Sequence, residues 1–201
     1  MKITFKEFCD KYSNSIILLE GKREVKPEDK EKLKAFGKLL AENLPNALFR
    51  SGNAEGSDYY FSQGVALVNP NQLEVITPYT KHRDKYNVAG TTHALDSVNL
   101  VNEPEVIYYS KNHKNTKSLI DKYVDGKKDK YAIKAAYIIR DTVKVVGTKS
   151  GIAPITFAFF YEDLDNPMQG GTGHTQRVCI ENNIPFANQT TFFEWLKIIY
   201  Y

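Results

Sequence analysis

Three glycine-punctuated turns carry the residues of this chain best suited to chemistry. The first is Gln169-Gly170-Gly171-Thr172-Gly173-His174-Thr175, placed between an apolar run and a helical pattern. Its glycines let the backbone take positive φ and approach a ligand closely. The helix behind it directs unpaired N–H groups and the positive end of its dipole into that space. Thr172, His174 and Thr175 add side-chain donors. That chemistry suits a phosphate or pyrophosphate, although the same glycines also serve tight turns that hold no ligand.

The second turn is Arg50-Ser51-Gly52-Asn53-Ala54-Glu55-Gly56-Ser57-Asp58. Gly52 and Gly56 keep it small, and Ser57 is placed to cap the following helix. It suits a second phosphate or a ribose. Asp58 also fits a plain structural role, as a negative charge in a helix's first turn. The third is Gly21-Lys22-Arg23, two cations after the first strand, which complement an anion or form a solvated basic turn. Arg140, beside Asp141 near a helix end, either reaches phosphates or complements the helix dipole.

Other reactive residue types carry weaker signals. His82, His93 and His113 lack metal-ligand spacing and are expected on exposed loops. The run Glu162-Asp163-Leu164-Asp165 has the oxygen ligands to hold Mg²⁺ beside phosphates, or is a solvated acidic loop. No cofactor is called for by these residues alone. Cys9 and Cys179 are far apart and read as reduced thiols partly buried in helices.

The elements that must position these residues follow from periodicity. Thr4 and Glu7 make a capping box for a helix with Phe5, Phe8, Cys9 and Tyr12 on one face. Residues 16–19 form a short buried strand. Residues 27–43 form an amphipathic helix with Pro27 in its first turn. Residues 47–50 form a strand, 57–67 a helix, and 73–76 a third strand. Residues 79–125 are polar and lack clean periodicity; a segment of that kind is a lid or an insertion that contributes base contacts. A charged break at 126–130 leads to a helix over 131–142, an apolar strand over 155–161, the glycine-rich turn with its helix, and a last strand over 184–187. Thr191 and Glu194 read as a capping box for the terminal helix.

Strand alternating with helix implies parallel strands joined by crossovers. The fold class is therefore α/β: a Rossmann-like, doubly wound, mainly parallel sheet with helices on both faces. The expected organisation is one domain over residues 1–201 with the insertion at about 79–125. All three glycine turns then lie beyond the carboxyl ends of strands, where such sheets bind ligands.

The composition fits this. The chain has 201 residues, 42% of them hydrophobic and 25% charged, and a formal charge of +3. These are globular proportions, and the charge neither demands nor excludes an anionic partner. No run has the length of a signal-peptide core or a membrane span. A cytoplasmic protein without a membrane partner is expected.

The motif order is more specific than any single turn. A strand ending in Gly-Lys-Arg, then Arg-Ser-Gly-(x)3-Gly-Ser-Asp, then a helix bearing Arg-Asp, then Gly-Gly-Thr-Gly-His-Thr, resembles the SLOG superfamily. That superfamily joins the Smf/DprA DNA-processing proteins to the "lonely guy" phosphoribohydrolases. The resemblance covers roughly residues 15–190. It implies a Rossmann-like fold and a nucleoside phosphate, NAD or ADP-ribose type of ligand across the glycine turns. It also implies assembly into homo-oligomers.

Some members cleave N-glycosidic bonds, and others sense nucleotide signals in conflict between bacteria and phages. The enzyme branch carries Pro-Gly-Gly-x-Gly-Thr-x-x-Glu and an upstream arginine. Here Gly170, Gly171 and Gly173 match, and Arg140 takes the arginine's place. Gln169 replaces the proline, His174 the threonine and Arg177 the glutamate. An arginine cannot perform a carboxylate's acid–base work. That leaves Asp58, Asp141 or Glu181, with Arg140, as catalytic candidates for a hydrolase. A binding or sensing role needs only the glycines and cations. Single-stranded DNA binding of the DprA kind would need aromatics interleaved with a basic groove, and no such stripe stands out in the sequence.

Overall fold

The computed structural model describes residues 3–112, 116–126 and 131–200. His113 and most of the charged break at 126–130 lie outside the described residues.

Among the described residues, six parallel strands form one sheet in the order β4-β3-β2-β1-β5-β6. The strands are β1 (Ile16–Gly21), β2 (Leu48–Ser51), β3 (Leu73–Thr77), β4 (Thr91–Ala94), β5 (Phe157–Tyr161) and β6 (Phe186–Asn188). The chain walks outward from β1 to β4, then returns to the other side of β1 for β5 and β6. The order therefore reverses between β1 and β5, where Gly21 pairs with Tyr161. The doubly wound α/β class is as the alternation of elements predicts.

Side-chain alternation divides the two faces. Ile17 and Leu19 of β1, with Phe157 and Phe159 of β5, face α1 (Phe5–Tyr12), α2 (Lys30–Asn43), α3 (Ser57–Ala66) and α8 (Gln189–Tyr200). Aromatic rings dominate this layer. Phe36 stacks on Phe192 at 4.5 Å, and Phe8 lies 5.1 Å from Phe159. Leu18, Ala158 and Phe160 face α7 (Gly170–Glu181) on the opposite side, and Ile76 of β3 packs there against α6 (Ala132–Val146).

Several boundaries differ from the sequence reading. Pro27–Asp29 is a separate 3-10 turn, and α2 begins at Lys30. β1 continues through Glu20 and Gly21 because Glu20 is satisfied inside the fold. The segment 79–125 is not featureless: it supplies the edge strand β4 and two short helices, α4 (Pro104–Lys111) and α5 (Lys117–Val124). Val106 and Ile120 pack them against Ile139 of α6. The short helices escaped detection because each runs only about two turns, too short for a periodic signal.

Two caps are also corrected. α8 begins at Gln189, so Thr191 lies inside it. Asn188 takes the capping role, its Oδ1 accepting from the Thr190 N–H at 3.2 Å. Ser57 does not cap α3; its hydroxyl donates to the Lys22 carbonyl at 2.6 Å.

α2 and α3 cross through two glycines. A Cβ on Gly37 would sit 2.3 Å from the Phe61 carbonyl oxygen, and one on Gly64 would sit 2.0 Å from that of Lys34. The backbones are in contact there, and neither helix can recede without opening the aromatic layer. Gly37→Ala and Gly64→Ala should each destabilise the protein by about 1–3 kcal/mol through overpacking. Urea denaturation checks this, and an unchanged midpoint in both variants would contradict the crossing geometry.

Candidate functional site

The crevice lies where β1 and β5 end, the position at which open parallel sheets place ligands. Its floor is built from charges. Glu20, Arg140, Asp141 and Lys144 are all buried. Lys144 Nζ donates to Glu20 Oε2 at 2.6 Å and lies 2.9 Å from Asp141 Oδ1. Arg140 donates to the same Asp141 oxygen at 2.6 Å and to the Gly52 carbonyl at 2.9 Å. Thr175 Oγ1 donates to Glu20 Oε1 at 2.9 Å, which ties α7 to β1.

This set sorts its own protons. Burial pushes the Glu20 carboxyl up to about 7, against the pull of Lys144. Burial also opposes the charge on Arg140 and Lys144. The surrounding carboxylates, Asp141 first, outweigh it and raise both cations above their ordinary values. Asp141 is held low because Arg140 and Lys144 overcome its burial. A second buried pair lies alongside: Arg50 Nε donates to Glu74 at 2.7 Å, and its Nη1 reaches the Lys144 carbonyl at 3.0 Å.

The turn over residues 51–58 is closed on itself. Asp58 accepts from the backbone N–H of Gly21 at 3.2 Å, of Gly52 at 3.1 Å and of Ala54 at 3.4 Å. Donors with the geometry for a phosphate are thus engaged by the chain's own carboxylate. Ser51 and Asn53 are buried, and the Asn53 amide donates to the carbonyl of His82 at 3.0 Å. Gly56 lies against the backbone of Arg23.

The helix at the turn over residues 169–175 begins earlier than the sequence suggests. Gly170, Gly171, Thr172 and Gly173 are helical, and Gln169 is the N-cap residue. Gly173 is required there, since a Cβ would lie 2.0 Å from the Met168 carbonyl group. The side chains of His174 and Thr175 turn inward. His174 Nε2 lies 2.9 Å from Thr142 Oγ1. Gln169 makes no side-chain capping bond. The first-turn N–H groups of Gly170, Gly171 and Thr172 consequently precede the first intrahelical donor, Gly173, which bonds to the Gln169 carbonyl at 2.9 Å.

Gly170 and Thr172 border a cleft of about 380 Å³ whose charged lining is Lys22 and Arg23 with Glu24, Glu162 and Asp163. Lys22 is part-exposed, 3.5 Å from Asp163. A second cleft of about 550 Å³ shares Arg23 and Glu24 with the first. It adds Lys30, Tyr59, Tyr60, Arg83 and Tyr86.

The structure brings Lys22, Arg23, Gly170 and Thr172 together, and sets Arg140, Asp141 and Asp58 beneath them. Glu181 is not part of the site. It ends α7, roughly 16 Å from Gly170 at 1.5 Å per residue, and bonds to Asn112. Glu162 accepts from Gln176 and Asn188, each at 2.9 Å. Among the described residues no group of three or more His, Cys, Asp or Glu stands together as a metal site.

The expectation of exposed histidines fails at His82, which is buried with no hydrogen-bond partner on either ring nitrogen. Burial, then Arg140, Arg83 and Arg23, push it down to about 4, so it stays neutral. His93 lies in β4, 3.4 Å from Glu74. Both thiols are free, as expected. Burial pushes Cys9 up to about 11 and Cys179 higher still, which suppresses thiolate reactivity.

Sequence reasoning missed Glu20, Lys144 and the tyrosine cleft. Lys144 had a signal: it sits among Ile139, Val143 and Val145 on a buried helix, a place a lysine occupies only when paired. The tyrosines had none, because Tyr86 comes from the aperiodic segment.

No protein-family model matches the chain, and no curated protein does. Among solved structures, DNA processing protein A from Helicobacter pylori, described for its single-stranded DNA binding mode, is similar at 12% identity. The match covers 92% of this chain and 69% of that one, with a TM-score of 0.47. A likeness of that size carries no statement about ligand or activity. No helix among the described residues is long and apolar enough to cross a membrane.

Glu20 makes the stability of the fold depend on pH. The folded chain holds this proton up to about 7, whereas an unfolded glutamate releases it near about 4.3. Between those values the folded state binds more protons, so stability falls as pH rises through the window. The stability of wild type relative to Glu20→Gln should therefore drop from about pH 5 to about pH 8 in urea denaturation. A difference that stays constant would mean that Glu20 is ionised throughout.

Proposed function

We propose that the protein binds a nucleotide-type ligand whose phosphate sits at the first turn of α7. One observation carries this reading. Of the four anion-binding features in the sequence, the turn over residues 50–58 is neutralised by Asp58 and Arg140 by Asp141, while Lys22 of the Gly21-Lys22-Arg23 turn stays part-exposed, 3.5 Å from Asp163. Only the α7 turn keeps its donors facing an open cleft beside a cation, Lys22. A helix N-terminus with uncapped N–H groups is a ready anion site. The SLOG-like order of motifs supports the same ligand class. Lys22 and Arg23 supply charge, while Arg140 acts from below by fixing the Gly52 carbonyl and Asp141.

Binding or sensing fits these side chains better than hydrolysis does. Asp58 and Asp141 are committed to structural bonds, and Arg177 occupies the position of the enzyme branch's glutamate. Mg²⁺ would enter only with the phosphates, held by ligand oxygens rather than by a protein cage.

Thermal-shift measurements with AMP, ATP, NAD, ADP-ribose and short single-stranded DNA test the proposal. A ligand bound only to the folded state raises the melting temperature with its saturation. A small nucleotide should raise it and be recovered intact. Gly171→Asp adds a carboxylate to the first turn of α7, on the side of Asp141, where it opposes any bound anion, and should abolish that shift in a folded protein. Retained affinity in that variant would remove the phosphate assignment. Recovery of free base would show a hydrolase. A shift by DNA alone, falling steeply with salt, would show the single-strand reading instead.

A further inference from the structure

The 550 Å³ cleft plays no part in phosphate capture, yet its lining is unusual. Its volume falls within the roughly 300–1,000 Å³ of small-molecule sites. Three tyrosines meet there edge to face. Tyr59 lies 5.4 Å from Tyr60 and 6.5 Å from Tyr86, at 76° and 84° between ring planes. Cations stand over the same rings: Arg83 at 4.8 Å from the Tyr86 centroid and Lys30 at 5.8 Å from that of Tyr60. Lys85 also stands 5.9 Å from the Tyr86 centroid, and Tyr86 remains 47% exposed.

The arrangement is held in place by the residues around it. Arg83 has a φ of 53°, in the left-handed region that a long side chain rarely adopts. The Asn53 amide secures the adjoining backbone through the carbonyls of His82 at 3.0 Å and Arg83 at 3.4 Å. Arg83 also pairs with Glu55. The turn over residues 51–58, closed by Asp58, therefore aims Arg83 at the tyrosines instead of holding a phosphate.

We propose that this cleft is a ring-binding subsite that takes the base of the nucleotide by stacking on Tyr86, with the guanidinium of Arg83 alongside. The proposal rests on the phosphate reading for the direction of approach. Arg23 and Glu24 line both clefts, so a ligand anchored at α7 crosses that segment to reach the tyrosines. Aromatic faces accept any base, and nearby guanidinium groups strengthen the contact. Three cations against two carboxylates in the lining favour a ligand carrying negative charge. A second phosphate is a poorer occupant, since Arg83 is already paired and the backbone donors nearby are filled by Asp58.

The experiment measures calorimetric binding of AMP and of ribose 5-phosphate, which lacks the base, to wild type, Tyr86→Ala, Tyr86→Phe and Gly171→Asp. Circular dichroism confirms folding of each; Tyr86 sits in an exposed 3-10 turn, so folding should survive. Wild type should bind AMP about ten-fold more tightly than ribose 5-phosphate, a factor equal to about 1.4 kcal/mol. Tyr86→Ala should remove that advantage without changing ribose 5-phosphate affinity, and Tyr86→Phe should keep it. Equal affinity of the two ligands for wild type, or AMP affinity untouched by Tyr86→Ala, overturns the subsite. In that case loss of ribose 5-phosphate binding in Gly171→Asp still upholds the phosphate reading. AMP binding that survives Gly171→Asp and falls with Tyr86→Ala overturns the phosphate reading and upholds the subsite. No binding of either ligand to wild type overturns both.

Discussion

Buried charge beneath the crevice is the constraint on which the rest of the structure depends. Lys144 touches both Glu20 and Asp141, and Arg140 touches Asp141 and the Gly52 carbonyl. With Thr175 of α7 donating to Glu20, these contacts join β1, α6, α7 and the turn after β2. Removing one partner from a buried pair leaves the other uncompensated, at a cost of about 3–5 kcal/mol. No member can move without the others. The positions of α7's first turn and of the turn over residues 51–58 are therefore tied to each other through this network as well as through the apolar layers on either side of the sheet.

The same economy explains which parts of the crevice remain open. A glycine-rich turn and a buried arginine both invite an anion, and the chain provides one in each case: Asp58 for the turn and Asp141 for Arg140. The α7 turn has no carboxylate at its cap, because Gln169 stands where Asp or Ser is common; Asp141 lies beside Gly171 and Asp163 beside Lys22 instead. What distinguishes the candidate phosphate site from its neighbours is thus one uncapped helix end and one part-exposed lysine.

Much of this was legible in the sequence. Alternation of strand and helix gave the parallel sheet, and the glycine turns marked the carboxyl edge of β1, β2 and β5. The Thr4–Glu7 capping box stands as predicted. The direction in which side chains point was not legible. His174 and Thr175 look like ligand donors in a loop, but the helix begins at Gly170 and rotates them into the core. Asp58 looks like a dipole complement, and of its three backbone bonds the one from Gly21 depends on β1 lying beside the turn. The tyrosine cleft joins Tyr59 to Tyr86 across a segment without periodicity, so no local pattern could announce it. Contacts between distant segments are set by the sheet order, and that order is not carried by any single motif.

The self-filled turn over residues 51–58 has one more consequence. A loop that waits for a ligand to supply its missing anion is mobile until that ligand arrives, and the cost of ordering it is then taken from the affinity. Here Asp58 orders the turn when the chain folds. Whatever enters the crevice meets a wall already rigid, and recognition proceeds with little rearrangement of the backbone. Among related ligands, discrimination would then lie in how slowly the right one leaves rather than in how fast it is admitted.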